Sequence, residues 1–295
     1  MCKLAALITS YNRSELFRKT LNSWLEKEEV DTLIVKADSS KREEYERYKE
    51  TLEKVKDKSV IYEVSNKKSG SSAAKNRVLE IALQNGCKFM IYADDDHYIP
   101  IDSNVKGSLR ILLSESIGAV GGKIVNLGNR SVDPDIFLNL SIAEPLSKAL
   151  GYIFLDVKHG PRFAEFVPAF LMVKGEAVNN VRYDELYGTT NGFREESDFQ
   201  QGIKRAGYKL VFNPYFYVYH IPIEEGGNRV SLSRRIFSKS KANTYFSFKW
   251  YSKPRAIWYV LASSILLMIY SPSSFSEVLK GIKDGIKEYQ VKRKL

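Results

Sequence analysis

Two cysteines and three histidines are all that this 295-residue chain offers to thiol or soft-metal chemistry. Cys2 and Cys87 stand far apart, which excludes a zinc-finger spacing and a disulfide framework, and a reducing compartment is the simple expectation. No long apolar stretch with a small-residue cleavage site opens the chain, so Met1–Thr9 is not read as a signal peptide. The sequons at Asn12, Asn129 and Asn139 therefore carry no expectation of glycosylation. There is no internal repeat and no low-complexity tract. A surplus of one charge is missing from most of the chain as well. Residues 233–295 hold 13 Lys+Arg against 3 Asp+Glu, which accounts for the whole net charge of +10. A charge-neutral remainder excludes a nucleic-acid surface spread over the core. With 44% apolar and 27% charged residues the composition is that of a folded protein.

What is present alternates. Lys3–Thr9, Thr32–Ala37, Val60–Val64 and Lys88–Ala93 are short apolar runs suited to buried strands. Between them, Phe17, Leu21, Trp24 and Leu25 fall at helical spacing, a charged helix is read from about Lys41 to Lys58, and Ala74, Val78, Ile81 and Ala82 trace a stripe that stops at Gly86. Asn12, three residues before Glu15, reads as a capping-box start. Strand–helix alternation predicts an α/β fold with a mainly parallel central sheet flanked by helices. Such sheets bind ligands beyond the carboxyl ends of their strands. Thr9–Arg13, Asp38 and Asp94–Asp96 all fall at those ends. Later, Gly118–Val125, Phe166–Val173 and Leu210–His220 read as strands, Arg194–Ala206 as a helix, and 126–165 as a variable insertion.

Three consecutive aspartates after a buried strand repel one another and persist when a cation compensates them. Hard divalent ions such as Mn²⁺ or Mg²⁺ prefer carboxylate oxygen and bridge readily to a diphosphate. A solvated acidic turn is the plain alternative, weakened by the other loops gathered at the same sheet edge. Arg194-Glu195-Glu196-Ser197-Asp198 opens a helix. Its acidic residues satisfy the helix dipole, and one of them can act as a general base, kept ionised by that dipole. His220, after an aromatic strand, can complete a metal site. His97 reads as the weaker candidate, a lining residue.

From about Ser233 the composition changes. Residues 256–270 carry no charge, yet 15 helical residues span only about 22 Å, short of a hydrocarbon core of roughly 30 Å. An interfacial segment flanked by Lys253, Arg255 and Lys292-Arg293-Lys294 is the expected reading. Packing on the domain or on a second copy of the chain, a homodimer, is the alternative.

In these features the sequence resembles the inverting glycosyltransferases of family 2, which have the GT-A fold, over roughly residues 4–222. Leu7–Arg13 matches the opening strand and turn that hold the nucleotide, and Asp38-Ser39-Ser40 the turn that contacts base and ribose. Gly70–Arg77 looks like the glycine-to-Ala-Ala-Arg-Asn element, with Lys75 in the usual Arg place. Asp94-Asp95-Asp96 with Pro100 is similar to the DxD element. Tyr183-Asp184-Glu185 and Glu195–Asp198 parallel the acceptor side, and Ala206–Leu210 and Val218–His220 the closing strand.

The resemblance implies a division of roles. Asp96 and His220 would bind Mn²⁺ or Mg²⁺, and Glu196 would be the base, with Asp198 in reserve. Thr9, Tyr11, Asn12, Arg13, Asp38, Lys75, Asn76, Asp94, Asp95 and Glu195 would form the substrate-binding set, with Asp94 toward ribose or sugar and Asp95 mainly structural. It implies a catalytic domain over 1–232 and a helical extension over 233–295 that meets an anionic membrane from its cytoplasmic face. The partners would be a UDP- or GDP-linked sugar and a glycan or lipid-linked acceptor. The rivals are a non-catalytic membrane-surface protein that retained the fold, and a sugar-phosphate nucleotidyltransferase. The second would need a glycine-rich triphosphate loop after the first strand, and Thr9–Arg13 contains no glycine.

Overall fold

The computed structural model describes residues 2–56, 59–127, 143–222 and 230–293. Part of the 126–165 insertion, the sequons at Asn129 and Asn139, and Lys294 lie outside them. The chain runs β1 (Leu4–Tyr11), α1 (Ser14–Leu25), β2 (Thr32–Asp38), α2 (Arg42–Glu53), β3 (Ser59–Ser65), α3 (Ser71–Gln84) and β4 (Phe89–Asp94). It continues with β5 (His97–Tyr98), α4 (Val105–Leu112), β6 (Ile117–Asn126), α5 (Ala143–Leu150), β7 (Arg162–Ala164), β8 (Leu171–Lys174) and α6 (Gly175–Val178). Then come α7 (Glu195–Arg205), β9 (Lys209–His220), α8 (Leu232–Trp250), α9 (Lys253–Tyr270) and α10 (Phe275–Lys292).

The strands form one sheet in the order β3-β2-β1-β4-β8-β6-β9-β5, with β7 on β9. The long ladders, β1–β2, β1–β4, β2–β3 and β6–β9, are parallel. Short antiparallel ladders of β8 with β4 and β6, and of β5 and β7 with β9, join the halves. β1 and β2 are buried nearly end to end because helices cover both faces, which is why they read as continuous apolar runs. The expected strand 166–173 shrinks to Leu171–Lys174. Phe166, Val167 and Phe170 are buried outside the ladder, packed as side chains.

Two expectations are corrected. Asn12 does not cap α1. It adopts φ 52° and turns to the β2 loop, accepting from the Ser40 amide (2.9 Å) and donating to Ser40 Oγ (2.8 Å). The first amides of α1 are satisfied from α2 instead: Ser14 N–H donates to Glu44 Oε2 (2.8 Å) and Arg13 N–H to Tyr48 Oη (2.8 Å). The second concerns the cysteines. Cys2 and Cys87 form a disulfide, with Cα atoms 4.6 Å apart. They precede two neighbouring parallel strands whose register sets Leu4 beside Phe89, a proximity no linear spacing reveals.

The C-terminal helices pack on the rest of the chain. Tyr245 and Phe246 of α8 join Phe166, Leu186 and Tyr187 in one apolar cluster. Arg194 is buried at that seam, donating to Asn243 Oδ1 (2.9 Å) and to the Gly151 carbonyl (3.0 Å). No helix among the described residues is long and apolar enough to cross a membrane.

Candidate active site

The aspartate turn is held from several sides. Ser10, at the end of β1, donates to Asp95 Oδ2 (2.6 Å), and Arg13 donates to Asp95 Oδ1 (3.0 Å) and Asp96 Oδ2 (3.2 Å). Thr20 Oγ1 donates to the Asp95 carbonyl (2.8 Å) and Trp24 Nε1 to the His97 carbonyl (3.0 Å). The compensating cation that three adjacent carboxylates demand is thus supplied in part by the chain itself, as Arg13. The carboxylates divide. Burial, reinforced by Asp96, pushes Asp95 up to about 7 against the pull of Arg13. Asp96 is pushed up by burial too, but His220, His97 and Arg13 outweigh it and hold Asp96 below the ordinary carboxylate range. Asp96 is therefore the persistent anion and Asp95 the internal brace.

Asp96 sits between two imidazoles. His220 Nε2, at the end of β9, is 3.2 Å from Asp96 Oδ2, and His97 Nε2 is 3.9 Å from Asp96 Oδ1. His97 accepts from the Asp94 amide through Nδ1 (3.1 Å), and burial lowers its pKa, which favours the neutral ring. Asp94, Asp96 and His97 offer ligand atoms all within 4.8 Å of one another, and Asp96 Oδ1 is buried without a hydrogen-bond partner. An orphaned anionic oxygen beside a second carboxylate fits a small divalent cation such as Mn²⁺ or Mg²⁺. His97, read from sequence as a mere lining residue, stands inside this cluster. The signal was its place directly after the aspartates.

The facing wall comes from the N-termini of α3 and α7. Glu195 is fully buried and accepts from Ser71 Oγ (2.6 Å) and Ser72 Oγ (2.8 Å). Lys75 Nζ lies 2.6 Å from both Glu195 Oε1 and Glu196 Oε1. The expectation that the helix dipole lowers the Glu196 pKa is corrected. Burial raises it, Lys75 opposes the rise and Glu195 adds to it, and the net direction is upward.

Between the walls lies a cleft of about 350 Å³. Thr9, Tyr11, Arg13, Asp38, Lys75, Asp94, Asp95, Glu195 and Glu196 line it, so most of the residues singled out from sequence meet there. Asp38 accepts from the Ser69 amide (2.7 Å), which anchors the loop before α3. Sequence reasoning missed Lys68 and Gly192 on the lining. Gly192 adopts φ 77°, and its backbone runs close to Glu195 and Ser71. That role depends on tertiary contact and left no pattern in the sequence.

Five of the residues singled out from sequence do not line the cleft: Asp96 and His220, which pair with each other, and Asn12, Asn76 and Asp198. Asn12 binds the Ser40 loop, and Asn76 clamps the Tyr183 backbone, donating to its carbonyl (2.9 Å) and accepting from its amide (2.8 Å). Asp198 does not line the cleft. It is buried under α8 and accepts from Lys249 Nζ (2.8 Å), Trp250 Nε1 (2.6 Å) and Tyr187 Oη (3.1 Å). A reserve base so fully engaged has no lone pair facing substrate. Asp198→Ala is expected to cost about 3 kcal/mol of stability in urea unfolding, because the buried Tyr187 and the partly buried Lys249 and Trp250 lose their acceptor. A loss below about 1 kcal/mol would contradict this structural role.

Residues 5–129 match the model of glycosyl transferase family 2. No curated protein matches the sequence. Among solved structures, the chain is similar to the mannosyltransferase PcManGT from Pyrobaculum calidifontis in complex with GDP-Man and Mn²⁺. The TM-score is 0.56 at 13% identity, covering 95% of this chain and 73% of that one. It is also similar to S. aureus TarS 1–349 in complex with UDP-GlcNAc, with a TM-score of 0.59 at 13% identity over 97% of this chain and 81% of that one. The shared architecture is the GT-A fold, and residues 5–129, which hold its first strands and the aspartate turn, are similar to glycosyl transferase family 2.

Proposed function

We propose that the protein moves one sugar from a nucleoside diphosphate donor, UDP- or GDP-linked, to an acceptor hydroxyl with inversion at the anomeric carbon. The observation that carries this reading is the lining of one cleft by Asp94 and Asp95 on one wall and by Glu196 on the other. Asp94 and Asp96, with His97 and His220 beside them, would hold a divalent ion, Mn²⁺ or Mg²⁺. When bound, that ion supplies positive charge for the departing diphosphate. Thr9, Tyr11 and Asp38 face the nucleotide end of the cleft. Glu196 takes the proton as the acceptor oxygen bonds to the anomeric carbon and the bond to the diphosphate oxygen breaks, a single displacement that inverts configuration.

The two similar structures bound to GDP-Man with Mn²⁺ and to UDP-GlcNAc support a nucleotide-sugar donor. A thermal-shift screen of UDP- and GDP-sugars with and without Mn²⁺ tests the reading. One donor should raise Tm in a Mn²⁺-dependent manner, since a ligand bound only by the folded state stabilises it by mass action. A flat response to all donors in the presence of Mn²⁺ would overturn it and favour the non-catalytic reading.

We propose a membrane as the home of the acceptor. Within the 233–295 extension, α9 turns Trp258, Leu261, Ile265 and Ile269 outward, all more than half exposed, and Phe275 and Leu279 extend this apolar surface onto α10. Lys253 and Arg255 are exposed beside it. An apolar face rimmed by Lys and Arg suits shallow insertion among anionic lipids, which the cytoplasmic leaflet presents. The protein is expected to sediment with vesicles containing anionic phosphatidylglycerol and to lose that affinity about tenfold or more in Trp258→Ser/Ile265→Ser, with two large side chains no longer buried. Equal binding by that variant, or a dimer in solution that dissociates on the same substitutions, would assign the face to a second copy instead.

A further inference from the structure

Glu196 shares its surroundings with a second carboxylate and one ammonium, and the two carboxylates are not equivalent. Glu195 has no accessible surface and is pinned through Oε2 by Ser71 and Ser72, the first two residues of α3. Lys75, one helical turn further along α3, presents Nζ at 2.6 Å to both Glu195 Oε1 and Glu196 Oε1. The Tyr183 ring lies 5.3 Å from the same ammonium, a contact that favours the cation. Glu196 keeps a quarter of its side chain accessible, at 25%, and lines the cleft. Among the described residues its carboxylate bonds to Lys75.

We infer that Lys75 and Glu195 are positioning residues for the base with opposite effects: the Lys75 ammonium keeps Glu196 ionised and aimed into the cleft, while Glu195, pinned by Ser71 and Ser72, anchors Lys75 and by its like charge opposes that ionisation. This rests on the reading of Glu196 as the base. Two carboxylates and one ammonium carry a net charge of −1, and uptake of one proton brings the trio to zero. The cluster is therefore charged while it waits and neutral once the acceptor proton has moved to Glu196. Without Lys75 the two buried carboxylates would share a proton in the resting state and the base would already be occupied. The charged groups facing Glu196 are Lys75 from α3, Glu195 from its own helix and Asp94 from the end of β4.

The test is the pH profile of kcat at saturating donor, Mn²⁺ and acceptor, for wild type, Lys75→Met, Lys75→Arg and Glu195→Gln, each checked for folding by circular dichroism. The acid limb is expected to move to higher pH in Lys75→Met, which removes the compensating cation. It should move to lower pH in Glu195→Gln, which removes the like charge, and stay near wild type in Lys75→Arg. A limb displaced by one unit reads as about a tenfold change in rate at a fixed pH on that limb. Superimposable limbs with only a uniform change in rate would reduce both residues to structural roles and overturn the inference. Should Lys75→Met fail to fold, the direction in Glu195→Gln decides, and a limb that does not move down counts against it. Glu196→Gln separates the two levels. Full turnover by that variant removes the base reading itself, whereas an inactive Glu196→Gln with unmoved limbs in the other variants removes only this inference.

Discussion

Glu196→Gln is expected to lower the rate of sugar transfer by about 10²–10⁴-fold, the range spanned by a positioned general base, while donor affinity stays within about threefold of wild type. The substitution keeps the volume and one acceptor oxygen next to Lys75, so packing at the head of α7 survives. What disappears is the capacity to take a proton. Donor binding should persist because the nucleotide end of the cleft is built by β1, β2 and the aspartate turn, whereas Glu196 stands on the facing α7 wall. Single-turnover transfer beside isothermal titration with the donor checks both halves. Loss of donor binding together with rate would show that Glu196 holds the sugar rather than the acceptor proton. Glu195→Gln provides the contrast, since Glu195 has no accessible surface and its Oε2 is taken by Ser71 and Ser72.

Asp96→Asn is expected to cost on the order of a hundredfold or more in kcat/KM and to remove most of the response to added Mn²⁺, because compensation of leaving-group charge is worth several kcal/mol. Asp96 is held below the ordinary carboxylate range and keeps a buried oxygen without a hydrogen-bond partner. The amide retains shape but offers a neutral oxygen and a donor where an anion is required. Titration of Mn²⁺ in the presence of nucleoside diphosphate measures it. Wild-type Mn²⁺ affinity in Asp96→Asn would move the metal assignment away from this turn. Asp95→Asn should behave differently, since Asp95 braces Ser10 and Arg13, and its main cost falls on folding stability.

The order of strands and helices in the first hundred residues was legible because buried parallel strands and amphipathic helices impose different periods on apolar residues. The gathering of Thr9–Arg13, Asp38 and Asp94–Asp96 at one sheet edge followed from that alternation and a general property of parallel sheets. The second half was harder to read. Phe166, Val167 and Phe170 are apolar for reasons of side-chain packing, and only the four residues of β8 enter the ladder.

Within the site, residue type predicted chemistry but not address. Glu195, Glu196 and Asp198 occupy one helical turn and look interchangeable on paper, yet they face a serine pair, the cleft and α8 respectively. Which of them meets substrate depends on how α7 is rotated against α3 and α8, a matter of long-range packing with no local signature. The same holds for Asn12, which prefers two amide contacts in the Ser40 loop to capping its own helix.

By itself, then, the sequence determined the α/β alternation, the sheet edge that carries the site and the acidic chemistry there, because these are written in local periodicity and charge. Only the tertiary structure decided that Arg13 and two histidines divide three like charges into a brace and an anion. It alone placed Lys75 on Glu196 and paired Cys2 with Cys87. Apart from His97 beside Asp96, each of these joins residues tens to more than a hundred positions apart, and a contact of that kind is a property of how elements pack rather than of any segment read alone.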